Sequence, residues 1–270
     1  MALVTWRYQV KVEALLRKEV ALRVLSAVVM IPLALSSFYM GGVVFHCVVL
    51  ALACVMALEW SSVASIQQQR PVSPLVFSVT LILALYSSQW DVGILSWPFI
   101  LGFLLISSPP NRRFVMLMGF CYITVPAMGL ISIRNVEGEG FLLLVNFFLI
   151  VWATDIGAYV GGKCIGGPRL WVRVSPHKTR SGALSGVISA MIISGIMYSV
   201  GYGFWTLLVW SPMIAIAAIC GDLLESFFKR FYGQKDASTF IPGHGGVLDR
   251  VDGVVLAAPL MWLLVKIGAL

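Results

Sequence analysis

Charge is scarce in this chain. Only 11% of its 270 residues are Asp, Glu, Lys or Arg, against about 25% in an ordinary soluble domain. So few charges cannot cover a water-facing surface, which excludes a soluble globular fold and leaves hydrocarbon as the solvent to be matched. Cross-links are lacking too. Cys47, Cys54, Cys121, Cys164 and Cys220 are scattered, odd in number and without C-x-x-C spacing, so they read as free thiols on helices rather than a disulfide framework or a zinc site. There is no internal repeat, no low-complexity tract and no evident cleavable leader, since the first apolar run is long and has no small-x-small cleavage site. No stripe of aromatics alternating with basic residues suggests nucleic acid, and no nucleic-acid partner is expected.

Long apolar runs are what the chain has instead. Hydrophobic residues make up 59% of it, in runs near the roughly 20 residues a helix needs to cross a bilayer core. The expected fold is all-α, a polytopic bundle of nine spans near residues 20–39, 41–60, 74–88, 92–108, 114–133, 141–162, 183–203, 204–228 and 253–269. The third is short, and the eighth is long enough to emerge as a polar helical end. The net charge of +7 follows from topology, because with the N-terminus inside, 17 of the 19 Lys and Arg fall in inside segments and only Arg134 and Lys266 fall outside. Asp91, Glu137 and Glu139 then occupy outer loops. This orients the N-terminus to the cytoplasm and suits a bacterial cytoplasmic (inner) membrane.

The polar residues are unevenly placed. Residues 1–140 carry few polar groups inside spans and read as a membrane scaffold, whereas residues 141–270 carry many and read as the catalytic part, with its cytoplasmic loops. The first 19 residues read equally as an interfacial helix, with Trp6 and Tyr8 at headgroup level, or as a solvated tail.

Ionisable groups within or beside a span are costly and mark function or internal pairing. Asp155 lies in the sixth span, with Tyr159 and Gly162 on its face. The alternative there is a structural Asp–Tyr or Asp–Lys pair. The basic loop from Arg169 to Gly182 contains Lys178 and Thr179 and leads into a helix start, which suits phosphate but also suits simple positive-inside anchoring. At the end of the eighth span, Asp222, Glu225, Ser226 and Lys229 share one helix face, as a polar cavity wall or a self-neutralising ion-pair ladder. Beyond it, Pro242, Gly243, Gly245 and Gly246 interrupt any helix. Asp249 and Asp252, one turn apart, could meet Asp222 around one hard cation such as Mg²⁺, which commonly shares its shell with phosphates. His244 stands without a second histidine placed to bind zinc. Carboxylates, cations and a glycine turn are the set that phosphoryl and nucleotidyl transfer require.

These residues resemble a family signature. Ser226-x-Phe228-Lys229-Arg230, four residues, Lys235-Asp236-x-Ser238, two residues, then Ile241-Pro242-x-His244-Gly245-Gly246-Val247-x-Asp249-Arg250-Val251-Asp252 run 27 residues without a gap. The pattern is similar to that of phosphatidate cytidylyltransferases, also called CDP-diacylglycerol synthases. The segment Asp155–Lys163 and the Ser-Pro-x-Lys-Thr loop also look like family features. The chain departs from the family where His177 replaces a Lys and Ser181 replaces a Glu. The resemblance implies that CTP and phosphatidate react to CDP-diacylglycerol and pyrophosphate. It implies Mg²⁺, with a second cation left open, a multi-helix fold among membrane lipid, and often a homodimer. It also implies Asp222, Asp249 and Asp252 as metal ligands, Lys229, Arg230, Lys235 and Arg250 at phosphates, and the His244-Gly245-Gly246 turn near the triphosphate. Lys178, Thr179, Ser226, Asp236 and Asp155 complete the expected substrate contacts. The competing readings are a transporter that couples through Asp155 and Asp222, and a phosphotransferase acting on an isoprenoid or ether lipid phosphate. A CDP-alcohol phosphotransferase fits less well, because its longer Asp-Gly…Asp spacing is missing.

Overall fold

The computed structural model describes residues 28–65, 93–108, 110–234 and 245–270, with positions 78, 79, 82, 237 and 238. Among them run helices α1 (Val28–Met40), α2 (Gly42–Ser65), α3 (Gly93–Ser107), α4 (Arg113–Arg134), α5 (Gly140–Cys164), α6 (Arg180–Ser199), α7 (Trp205–Phe231) and α8 (Leu248–Lys266). A short antiparallel hairpin, β1 (Arg169–Trp171) and β2 (Ser175–Thr179), precedes α6, pairing Arg169 with Thr179 and Trp171 with Ser175. The helical architecture expected from the apolar runs is present, and the hairpin interrupts it at the basic loop.

Five helices are long and apolar enough to span a bilayer: Gly42–Ala64, Pro110–Arg134, Gly140–Cys164, Arg180–Ser199 and Trp205–Phe231. The expectation of nine spans is met only in part. Much of the first span and most of the third, like the N-terminal 19 residues, lie outside the described residues. The fourth is a 15-residue helix. The ninth is α8, whose first turns carry Asp249, Arg250 and Asp252, so its apolar stretch begins only at Gly253.

The outer surface is apolar. Val43, Ile106, Phe114 and Ile156 are all more than 60% exposed, which suits lipid and fits a membrane protein. The core is apolar as well, centred on Phe45, Trp60, Phe120, Phe147 and Met116. Helices that bury apolar faces from lipid gain little hydrophobic energy, so close packing through small residues must hold them. The α5–α6 pair shows this. A Cβ on Gly182 would lie 2.6 Å from the Ala158 carbonyl oxygen, and one on Gly186 would lie 2.8 Å from that of Thr154. α8 packs against α4 and α7, with Gly253, Ala257, Ala258 and Met261 buried. At the opposite end, the Arg134 guanidinium donates to the Phe38 and Tyr39 carbonyls, closing α1 onto α4.

Candidate active site

The site forms where the hairpin, α5, α7 and the start of α8 meet. Thr179 caps α6: its backbone is extended and its hydroxyl accepts the Gly182 N–H at 3.1 Å. Ser181, the position where the family pattern carries Glu, binds the Gly166 carbonyl and the Thr179 hydroxyl. Both hydroxyls thus fix the turn that aims β2. From that strand Lys178 reaches across to pair with Asp222 of α7. Around this pair lies a pocket of about 440 Å³ walled by Asp155, Lys163, Arg169, His177 and Thr179.

Asp222 lies beside Asp252 because Gly221 lets α7 meet α8 backbone to backbone: a Cβ there would run into the Asp252 carbonyl oxygen. Asp252 accepts its neighbour's Gly253 N–H at 2.8 Å and sits in the fields of Asp222, Asp155 and Lys178. Asp155, Lys178, Asp222 and Asp252 thus lie in one neighbourhood.

A second cluster lies one turn further along α7. Lys229 contacts Glu225 at 3.0 Å and Asp249 at 2.5 Å, in a setting where Glu225 is 2% and Asp249 9% exposed. The ladder reading of α7 holds for Glu225 and Lys229, while Asp249 ties it to α8. Asp249 also accepts the Gly246 N–H at 2.8 Å and the Ala237 N–H at 3.2 Å. Burial pushes its carboxyl up. The bonds from Lys229 and the two backbone N–H groups outweigh this, and its pKa is lowered. The Asp222, Asp249 and Asp252 trio expected from sequence thus divides: Asp222 and Asp252 adjoin where α7 meets α8, whereas both oxygens of Asp249 are engaged by donors. Among the described residues no three His, Cys, Asp or Glu side chains converge closely enough to enclose a metal ion.

The remaining expected residues are spread out. Ser226 approaches Asp222 at 3.5 Å. Arg230 is exposed and donates to the Gln234 carbonyl at 3.2 Å. Arg250 lines a separate apolar cavity. Gly245 turns with a φ of +83°, and a Cβ there would lie 2.9 Å from Asp249 Oδ2. Lys235, Asp236 and His244 lie outside the described residues. The Gly246 N–H, in the turn expected near the triphosphate, donates to Asp249.

Sequence reasoning missed Glu59 and Trp60, in the C-terminal part of α2 and in the half read as scaffold. Glu59, 4% exposed, accepts bonds from the start of α8, and Trp60, 1% exposed, stacks on Phe228 at 3.8 Å. The signal was present, because Glu59 is the one charged residue in the run from Gly41 to Gln69, and such a group inside a span is rarely accidental.

The fold and site define a membrane-embedded helical protein with paired carboxylate and cation clusters. The chain matches the cytidylyltransferase family over residues 21–268. It is 36% identical over 248 residues to the phosphatidate cytidylyltransferase of Brucella suis biovar 1, covering 89% of this chain and 91% of that one. It is 31% identical over 255 residues to the phosphatidate cytidylyltransferase of Staphylococcus haemolyticus, covering 90% and 97%. The chain belongs to the cytidylyltransferase family and is an enzyme of it. The resemblance read from residues 226–252 holds, and the transporter reading falls.

Proposed function

We propose that the protein transfers the cytidylyl group of CTP to phosphatidate, giving CDP-diacylglycerol and pyrophosphate for phospholipid synthesis. The reaction takes place at the cytoplasmic boundary of a bacterial inner membrane crossed nine times. The relatives' names support the substrates, and the 17-to-2 partition of basic residues supports the orientation. One observation carries the reading: two cavities of opposite character share the wall α5. Asp155 faces the 440 Å³ polar pocket, while its neighbour Ile156 lines an apolar cavity of about 550 Å³. On α8, Arg250, Val251 and Val254 line the apolar side, and Asp252 belongs to the polar cluster. A polar nucleotide and an acyl chain would reach one reaction point from the two sides of α5.

The chemistry asks little of a base. An oxygen of the phosphatidate phosphate, already anionic, attacks the α-phosphorus of CTP. A new P–O bond forms, the α–β bridging P–O bond breaks, and pyrophosphate leaves with the electron pair. Positioning and neutralisation carry the rate. Lys163, Arg169 and Lys178 line the polar pocket and hold the triphosphate, and Arg250 meets the lipid phosphate at the apolar cavity. Lys229 holds Asp249 and the start of α8 in register.

The donor set fits Mg²⁺. Two carboxylates adjoin where α7 meets α8 at Gly221, Asp222 and Asp252, with Lys178 beside Asp222, and Mg²⁺ takes one or two carboxylates and completes its shell with water and phosphate. Asp222 and Asp252 would hold it, and Asp249 would join only by giving up Lys229. When bound, the ion supplies charge neutralisation on the phosphates.

The test is pyrophosphate release by purified protein in lipid–detergent micelles. All four ribonucleoside triphosphates are offered with phosphatidate, ether-lipid and isoprenoid phosphates, with and without Mg²⁺. Release with CTP, phosphatidate and Mg²⁺ together is expected, and silence across every combination sinks the reading.

A further inference from the structure

The start of α8 carries Asp249 and Asp252, and Asp249 accepts the Gly246 N–H, but the N–H groups of Val247 and Leu248 find no acceptor in the segment itself. The N-cap position is Val247, which has no side-chain acceptor. The helix must find acceptors elsewhere for its first N–H groups. Glu59, arriving from α2, supplies them. Its Oε1 accepts the Val247 N–H at 2.9 Å and the Ser238 hydroxyl at 2.5 Å, and its Oε2 accepts the Leu248 N–H at 2.8 Å. Gly246 makes room, since a Cβ there would lie 2.9 Å from both Glu59 oxygens. The carboxylate also sits where the helix dipole favours negative charge. Next to it, Trp60 stacks on Phe228, the residue before Lys229, with planes 12° apart, and donates to the Val115 carbonyl at 3.2 Å. The C-terminal part of α2 therefore grips both helices that carry the acidic clusters.

We propose that Glu59 is a positioning residue for the reaction: it caps α8 in trans and so fixes Asp249 and Asp252 against Lys229 and Asp222. The scaffold half is thereby part of the catalytic apparatus without touching substrate. The claim about catalysis rests on the proposed cytidylyl transfer, while the claim about the cap does not. Glu59→Gln keeps the shape but presents an amide N–H₂ to backbone donors, and Glu59→Asp keeps the charge on a shorter arm.

The experiment pairs hydrogen exchange with steady-state kinetics on full-length protein in micelles. In Glu59→Gln, amide exchange in peptides covering residues 245–252 is expected to speed up about tenfold, the equivalent of losing one hydrogen bond to a charged group, while α5 and α6 stay unchanged. The kcat is expected to fall by roughly 100-fold, the order expected of a misplacement near 1 Å, with KM for CTP little changed. Glu59→Asp should recover part of both. Unchanged exchange at residues 245–252 overturns the cap. Faster exchange with a wild-type kcat, or a kcat loss matched by a uniform rise in exchange over every helix, overturns the positioning role. If wild-type protein proves inactive toward CTP and phosphatidate, the substrate reading fails and the exchange result alone decides the cap.

Discussion

Lys229 and Lys178 each meet carboxylates, but in different surroundings. Lys229 is 13% exposed between Glu225 and Asp249, whereas Lys178 and Asp222 keep 28% and 26% exposure. Removing one partner of a buried pair leaves uncompensated charge and costs about 3–5 kcal/mol, while an exposed pair is worth about 0–1 kcal/mol. Lys229→Met should therefore lower the thermal unfolding temperature in detergent sharply and abolish turnover. Lys178→Ala should unfold near the wild-type temperature yet raise KM for CTP about tenfold, as loss of one charge-assisted phosphate contact would. Equal unfolding temperatures for wild type and Lys229→Met would refute the buried triad. Asp249 adds a pH signature. Its folded pKa is lowered relative to an unfolded value of about 3.9. Its stabilisation is thus fully present above that unfolded value and is lost as pH falls through the folded one. Asp249→Asn should unfold at a lower temperature than wild type at neutral pH, with the gap closing below about pH 4. A gap constant from pH 7 downward would contradict it.

At the scale of elements, glycines set the distances. α7 and α8 approach closely at Gly221, which brings Asp222 beside Asp252. Gly221→Val should wedge the two helices apart and cut turnover while leaving the hairpin and the α5–α6 contact intact, as exchange in peptides from those segments would show. Wild-type turnover in that variant would mean that Asp222 and Asp252 need not adjoin. Much of this was legible in the sequence. Apolar runs of bilayer length announce α2, α4, α5, α6 and α7, and the i, i+3, i+4 spacing announces the polar face of α7. The hairpin was not legible, because its strands are short, polar and buried in a basic loop without alternation. The division of Asp222, Asp249 and Asp252 was not legible either. Sequence spacing shows which carboxylates share a helix face but not which of them backbone N–H groups will claim. Glu59 escaped because its partners lie about 180 positions away, a separation no local pattern reports.

For the molecule as a whole, the proposed reaction joins substrates that prefer different solvents, and the bundle holds an apolar and a polar cavity for them. The apolar cavity lies among α1, α2, α4, α5 and α8, with Leu52 and Val48 on its α2 wall and Arg250 at the α8 start. Burying acyl chains there gains about 0.8 kcal/mol per methylene when they come from water, but little when they come from lipid. On the proposed reaction, the cavity would serve to place the lipid phosphate rather than to tighten binding. Filling it should discriminate by chain length. Leu52→Trp, on a 38% exposed position, adds bulk without touching the polar pocket. It should leave KM for CTP and turnover of a short-chain, water-soluble phosphatidate near wild type, while turnover of a long-chain phosphatidate falls about tenfold, the equivalent of 1.4 kcal/mol of misplaced chain. Competition between the two lipids in one micelle preparation checks this directly. Equal loss for both lengths would move the acyl chains out of this cavity and onto the open lipid-facing surface.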